Sequence, residues 1–228
     1  NLMLGYQSSG TVDINTIGDN GGVNNNIQCV VLGSSQTTIN GRTLGANRNT
    51  LINARGVTIE STSGDGGRSA DNNIVLNAES TSVQNAQANI IGGTSHVLTG
   101  GSFNTVLGSG HVLGGTHEAN RRSLVVGTDH IKNDAVNVFM TGVAHVIQPN
   151  EPNQFDNVSL LGNDLRVNAP NGTVVGVLND PSPTGHGNSL FMVGNGTDKG
   201  RTTAFNVNTQ GNIMMEFVRQ ANFADDTA

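Results

Sequence analysis

The sequence predicts an all-β fold: a trimeric β-solenoid (a β-roll or β-helix of short coils) followed by a small C-terminal β-meander module. Three observations predict it. First, a phrase of two or three branched apolar residues closed by a small residue recurs along the chain. It reads Ile74-Val75-Leu76-Asn77, Ile90-Ile91-Gly92, Val106-Leu107-Gly108 and Leu124-Val125-Val126-Gly127, with a weaker apolar position after each, at Val83, Val97, Val112 and Ile131. Self-similarity at short period marks a solenoid, in which each coil is half a core until its neighbours stack on it. Second, charged residues make up 12% and hydrophobic residues 35% of the 228, against about 25% and about 45–50% in an ordinary globular domain. Glycine, with 31 copies, and asparagine take their place and supply the positive-φ corners that tight coils need. Third, the apolar residues come as adjacent doublets. Neighbours in a strand point to opposite faces, so a lone solenoid would leave one residue of each doublet in water. Nine such exposures would forfeit on the order of 20 kcal/mol, more than the roughly 5–15 kcal/mol that stabilises a typical domain. Other copies of the same coil, in a three-fold bundle, would cover that face and its edges.

Taken in order, residues 1–26 are rich in Gly, Ser and Asn and read as an N-terminal linker or a loose first coil carrying Leu2, Leu4, Val12 and Ile14. Residues 27–178 form the solenoid. Its phrases begin at Val30-Val31-Leu32-Gly33 and Leu51-Ile52-Asn53 and continue past Gly127 as Phe139-Met140-Thr141-Gly142, Leu160-Leu161-Gly162 and Val174-Val175-Gly176. Residues 61–68 and 148–154 read as loops inserted at coil corners. Low charge with low hydrophobicity is also a composition of disorder, but evenly spaced Val, Ile and Leu clusters argue against it here. Pro181 and Pro183 break the repeat within a Pro/Gly linker at 179–188. Residues 189–228 form the C-terminal β module, with strands at 189–194, 203–207 and 213–217, turns at Asn195-Gly196 and Gln210-Gly211, and a short tail.

Composition also narrows function. A net charge of −6, with Arg121-Arg122 as the one basic pair, leaves no electrostatic footprint for nucleic acid. Cys29 is the single cysteine, so no intrachain disulfide forms, and it reads as a small core residue. No run is apolar enough to span a bilayer and none reads as a signal peptide, so no membrane insertion is expected. The stretch from Asn1 to Ala228 reads as a fragment or a processed product.

Four histidines, His96, His111, His130 and His145, share one repeat position and are each followed by Val or Ile. The expectation is that they face outward beside a core residue. The alternative places them on a three-fold axis, where each ring of three imidazoles could hold a metal. Asn73, Asn89 and Asn104 at coil starts read as turn residues; stacked ladders or a buried anion site are the alternative. The glycine pairs Gly92-Gly93, Gly100-Gly101 and Gly114-Gly115 read as corners between strands, since no helix follows them to form a phosphate cradle. Polysaccharide cleavage would want two carboxylates about 5–9.5 Å apart, and Glu60, Asp65 and Glu79 are the candidates near one another in repeat space. No nucleophile-elbow phrase stands in a strand-to-helix context. No catalytic residue, cofactor or resident metal is therefore expected, and the chain reads as a non-enzyme.

Phrases such as Asn89-Ile90-Ile91-Gly92-Gly93-Thr94-Ser95-His96-Val97 and Asn104-Thr105-Val106-Leu107-Gly108-Ser109-Gly110-His111-Val112 resemble the head repeats of trimeric autotransporter adhesins and related repeats of bacteriophage tail fibres. The run Leu190-Phe191-Met192-Val193-Gly194-Asn195-Gly196-Thr197, with Ala204-Phe205-Asn206-Val207 and Gly211-Asn212-Ile213, is similar to a module common in phage fibres. There it often precedes a C-terminal intramolecular chaperone, whose Ser-Asp start and Lys-rich helix this chain lacks. Together the two likenesses cover about residues 27–218. They imply a left-handed homotrimeric β-roll and a role in surface attachment. Three readings follow: a phage or phage-derived tail-fibre segment, a bacterial trimeric adhesin head, and a polysaccharide depolymerase tailspike. The expected partners of the first are a host cell-surface glycan or protein and other fibre or baseplate proteins, and its expected location is the virion, acting extracellularly.

Overall fold

In the computed structural model of the chain, residues 2–4, 30–33, 37–40, 48–52, 56–60, 72–84, 87–114, 121–133, 135–147, 156–167, 169–181 and 188–215 are described. They form an all-β solenoid. Seven successive coils, from Val30–Leu32 to Phe139–Val143, each contribute one strand to a long sheet and then one to a second sheet, and the coils of Ser159–Asn163 and Thr173–Val177 continue the long sheet alone. The long sheet has 13 strands and runs from Leu2–Leu4 to Ile213–Met215; the short sheet has 7 and runs from Thr37–Asn40 to Val146–Ile147. Up to Ser189–Asn195 every pairing in the long sheet is parallel, coil upon coil. Parallel pairing demands a return connection between neighbours, and the coil itself provides it.

The core is built on one inward row of side chains from each sheet, joined by buried residues between strands such as Val138, Val158 and Leu165. Leu51, Val75, Ile91, Val106, Val125, Met140, Leu160, Val174 and Met192 form the inward row of the long sheet, all buried and aligned by the register Val75↔Ile91↔Val106↔Val125↔Met140↔Leu160↔Val174↔Met192. Ile59, Val83, Leu98, Leu113, Lys132 and Ile147 form the inward row of the short sheet. One residue of each apolar doublet is thus inside and its neighbour outside, as the alternation of strand side chains requires.

The register corrects three readings of the sequence. Ile90-Ile91-Gly92 does not align with Val106-Leu107-Gly108: Ile91 pairs with Val106, Gly92 with Leu107 and Gly93 with Gly108. A one-residue slip exchanges inside for outside, so Ile91 is core whereas Leu107 is 38% exposed. In the second half of the phrase Val83 points inward, but Val97, Val112 and Ile131 point outward, and their successors Leu98, Leu113 and Lys132 fill the core. Finally, Gly92 and Gly93 are not a corner. They lie inside the strand Ile90–Thr94, and Gly93, Gly108, Gly127, Gly142, Gly162 and Gly176 stack as a column at φ +101° to +143°. A Cβ on any of them would collide with the carbonyl of the glycine one coil on.

The true corners are left-handed residues that are mostly not glycine. One series is Ser95, Gly110, Asp129, Ala144, Asp164 and Leu178; the other is Arg48, Asn72, Ala88, Phe103, Arg122, Asn137, Asn157 and Asn171. Asparagine tolerates this region, whereas Ala, Phe or Leu there costs about 1–2 kcal/mol. Main-chain bonds to the previous coil hold the first series, for example Gly110 N–H to Thr94 O at 3.0 Å and Asp129 N–H to Ser109 O at 2.9 Å.

The strand Ser189–Asn195 adds parallel to Thr173–Val177, and Thr203–Asn208 and Ile213–Met215 then pair antiparallel as a meander. Phe191 and Phe205 meet edge to face with centroids 6.0 Å apart. Arg201 joins this end to the last coils: it pairs with the Asp164 carboxylate and donates to Asp164 O at 2.7 Å. Among the described residues no helix is long and apolar enough to cross a membrane. Cys29, the loops expected at 61–68 and 148–154 and the tail beyond Met215 lie outside the described residues.

Candidate functional site

Two polar ladders run through the interior, one at each end of the long-sheet strands. At the entry end, a left-handed corner residue turns the next side chain inward, and that side chain is Asn49, Asn73, Asn89, Asn104 or Ser123, all buried. The Oδ1 of Asn49 accepts both the main-chain N–H (2.9 Å) and the Nδ2–H (3.1 Å) of Asn73. Asn73 does the same for Asn89 at 3.2 and 3.0 Å, and Asn89 for Asn104 at 2.9 and 3.1 Å. Asn104 then receives the N–H of Ser123, and the Ser123 hydroxyl that of Val138. Buried amides require partners, and here each coil supplies them to the next. The stacked ladder is therefore the arrangement present, not simple turn chemistry.

At the exit end stands the histidine series. His96, His111, His130 and His145 are all fully buried, which overturns the expectation that they face outward. Their rings stack face to face at 4.8–5.0 Å with interplanar angles of 8–10°. Each Nε2–H donates back to a main-chain carbonyl four residues earlier: Gly92, Leu107, Val126 and Thr141, at 3.1, 3.0, 3.0 and 2.9 Å. Each Nδ1 from His111 onward accepts the main-chain N–H of the next coil. The donors are His130 to His111 at 3.3 Å, His145 to His130 at 3.1 Å and Leu165 to His145 at 3.1 Å. The two contacts together fix the neutral tautomer with its proton on Nε2. Thr81 precedes the stack and Leu165 and Asn179 continue its column; Asn179 accepts from Arg166 N–H at 2.8 Å.

The glycine column makes room for the rings. A Cβ at Gly108, Gly127 or Gly142 would lie 3.0, 2.9 or 3.1 Å from the Nε2 of His111, His130 or His145. The sequence carries this requirement as a phrase: Gly93-Thr94-Ser95-His96, Gly108-Ser109-Gly110-His111, Gly127-Thr128-Asp129-His130 and Gly142-Val143-Ala144-His145. That constant step from glycine to histidine is the signal from which the burial could have been found. Burial, the largest influence, lowers the pKa of all four, His130 to about 4, and the carbonyl hydrogen bonds offset part of it. With Nε2 of all four rings and Nδ1 of all but His96 bonded to the main chain, these rings are built as structural groups. Among the described residues no group of three or more His, Cys, Asp or Glu is placed to hold a metal ion.

The carboxylates considered for catalysis are not brought together as a described pair. Glu60 ends a strand of the short sheet, Glu79 ends a strand of the long sheet and is exposed, and Asp65 lies outside the described residues.

Outside, the long sheet carries a row of Ile74, Ile90, Leu124 and Phe139, each 36–41% exposed, beside Ile52 and Leu107. The outer face of the short sheet carries Val97, Val112 and Ile131, likewise half-exposed. An exposed ladder marks the entry corners. Arg122 Nε–H donates to Asn137, Asn137 to Asn157 and Asn157 to Asn171, at 2.9, 2.8 and 2.9 Å. Comparison of the chain with protein-family models, curated proteins and solved structures returned no match.

Proposed function

We propose that this chain is a structural and attachment segment of a homotrimeric phage or phage-derived tail fibre that binds the host cell surface without catalysis. The observation that carries the reading is the pair of outward apolar rows on a solenoid of stacked coils. Same-row neighbours shield each outward residue, so the unburied remainder is smaller than a bare doublet suggests. Covering a side chain left about two-fifths exposed contributes about 1 kcal/mol. Nine such positions would together contribute on the order of 9 kcal/mol per chain, comparable with the stability of a whole domain. A row that recurs over successive coils, interrupted at Thr105, suits a parallel copy in the same register, and three copies close the bundle with no free end to propagate.

The fold supports an attachment role through its economy. Each coil adds length and surface, and the interior is filled by the inward rows of the two sheets, buried residues between strands and two ladders. Function then falls to exposed corners and inserted loops, which a rigid scaffold carries. The resemblance of 190–213 to a phage-fibre module favours the fibre over a bacterial adhesin head, and the low share of charged residues, 12%, favours binding over a depolymerase. The site of action is then the virion, outside the cell.

Sedimentation equilibrium at micromolar concentration tests the assembly, with a mass three times that of the chain expected. A folded monomer would refute it. Incubation with purified host surface polysaccharide tests the rest: retention on the polysaccharide without new reducing ends is expected, and release of reducing ends would make the depolymerase reading the better one.

A further inference from the structure

We propose that, in the stack of His96, His111, His130 and His145, the rings from His111 onward form an acid-operated latch, which holds the exit corner of four successive coils while its rings are neutral and releases them on protonation. The geometry carries this independently of any attachment role or oligomeric state. In each link from His111 onward, Nδ1 is the acceptor for a main-chain N–H of the next coil. Nε2 is already committed as a donor to a carbonyl of its own coil. A proton added to a ring can therefore go only to Nδ1. There it replaces a lone pair facing an N–H with a second N–H, so an attraction between coils becomes a donor–donor repulsion. The same step would place positive charges about 5 Å apart in the stack, away from water.

The surroundings do little to stabilise that charge. The inward row of the long sheet presents Ile91, Val106, Val125 and Met140, none of which is charged. The inward row of the short sheet presents Leu98, Leu113, Lys132 and Ile147, none of which is a carboxylate. From the corners, Asp129 favours charge on His111 and His130, and Asp164 favours it on His145. Asp164 is itself paired with Arg201. No described carboxylate hydrogen-bonds a ring.

The direction of the pH response follows. A free imidazole has a pKa of about 6.5, and in the folded chain all four are lowered. The unfolded chain then binds more protons below pH 6.5 than the folded one. The ladder's contribution is complete above about pH 6.5 and is lost as pH falls from there towards about 4, the value reached by His130. Each ring that takes up a proton on opening raises the opening constant roughly tenfold per pH unit. Four rings in contact would make the loss steep.

The test is urea unfolding of the full chain at pH 8, 7, 6 and 5, for the wild type and for a variant with all four histidines replaced by asparagine. Asparagine already occupies this column at Asn179, where its Oδ1 accepts a main-chain N–H. We expect the wild-type midpoint to hold between pH 8 and 7 and to fall sharply by pH 5, with no change on adding chelator, and the variant midpoint to stay level. An unchanged wild-type midpoint, or an equal acid loss in the variant, would overturn the latch. Should the variant not fold, ring nitrogen shifts of the wild type by NMR decide the question. Four rings held as the Nε2–H tautomer at pH 6 support the proposal, and rings titrating near 6.5 in the folded protein reject it.

Discussion

Replacing Asn89 by alanine would break one rung of the buried amide ladder while leaving the apolar core untouched. In the native chain the Asn89 Oδ1 accepts the main-chain N–H of Asn104 at 2.9 Å and its Nδ2–H at 3.1 Å, and the Asn89 Nδ2–H donates to Asn73 at 3.0 Å. After truncation the Asn104 N–H is buried without its acceptor, which costs about 1–3 kcal/mol. The two lost amide–amide bonds add about 0.5–1.5 kcal/mol each, less the bond that Asn73 keeps with the Asn89 main chain. The expected loss is about 3 kcal/mol, a large share of the roughly 5–15 kcal/mol available to a typical domain. Serine at the same place should recover about half, because Ser123 already serves one rung with its hydroxyl, accepting Val138 N–H at 3.3 Å. Asn157→Gly is the matched control: it breaks an amide ladder of similar geometry at an exposed corner, where glycine keeps the left-handed φ without strain, water replaces the partner and the change should stay within about 0.5 kcal/mol. Urea unfolding at pH 8, above the histidine range, reads all three. A loss below about 1 kcal/mol for Asn89→Ala, or one equal to that of Asn157→Gly, would refute the assignment of stability to the buried ladder.

Ile91→Asp and Leu107→Asp should part company. Ile91 is in the core, and an unpaired buried carboxylate there should prevent folding, visible as loss of the β-sheet circular dichroism signal. Leu107, on the outer face, should leave the coil folded but reduce the sedimentation mass if copies pack there. Two adjacent glycines give an equally sharp contrast. Gly93→Ala sets a Cβ against the Gly108 carbonyl at φ +114° and should abolish a soluble product, whereas the Cβ of Gly92→Ala meets the movable Leu107 Cδ2 at 3.0 Å and Leu76 O at an ordinary 3.8 Å and should shift the melting temperature little. Arg201→Ala removes the tie between the last strands and the Asp164 corner. It should speed amide exchange at 160–179 and 189–208 by hydrogen-exchange mass spectrometry while sparing residues 90–114.

The sequence by itself determined that the chain would coil. The repeated apolar phrases mark strands that the structure contains at Val30–Leu32, Ile74–Glu79, Ile90–Thr94, Thr105–Ser109, Leu124–Thr128, Phe139–Val143, Ser159–Asn163 and Thr173–Val177. The doublets also announced that each strand has an inside and an outside, because that property is local to the strand. Which residue of a doublet goes inside is not local. It depends on the register between coils, and that register was fixed at Gly93↔Gly108 by a close main-chain approach that no single coil reveals. The histidines went the same way. One imidazole per coil looks like a polar residue bound for water, and it becomes a core residue only when the N–H of the next coil arrives at its Nδ1. The buried asparagines likewise have their partners 15 to 24 residues away, across coils of unequal length. Strand identity was written in neighbouring residues, while burial of the polar ladders was decided by stacking, since only the stacked coil supplies the hydrogen bonds that make such burial affordable.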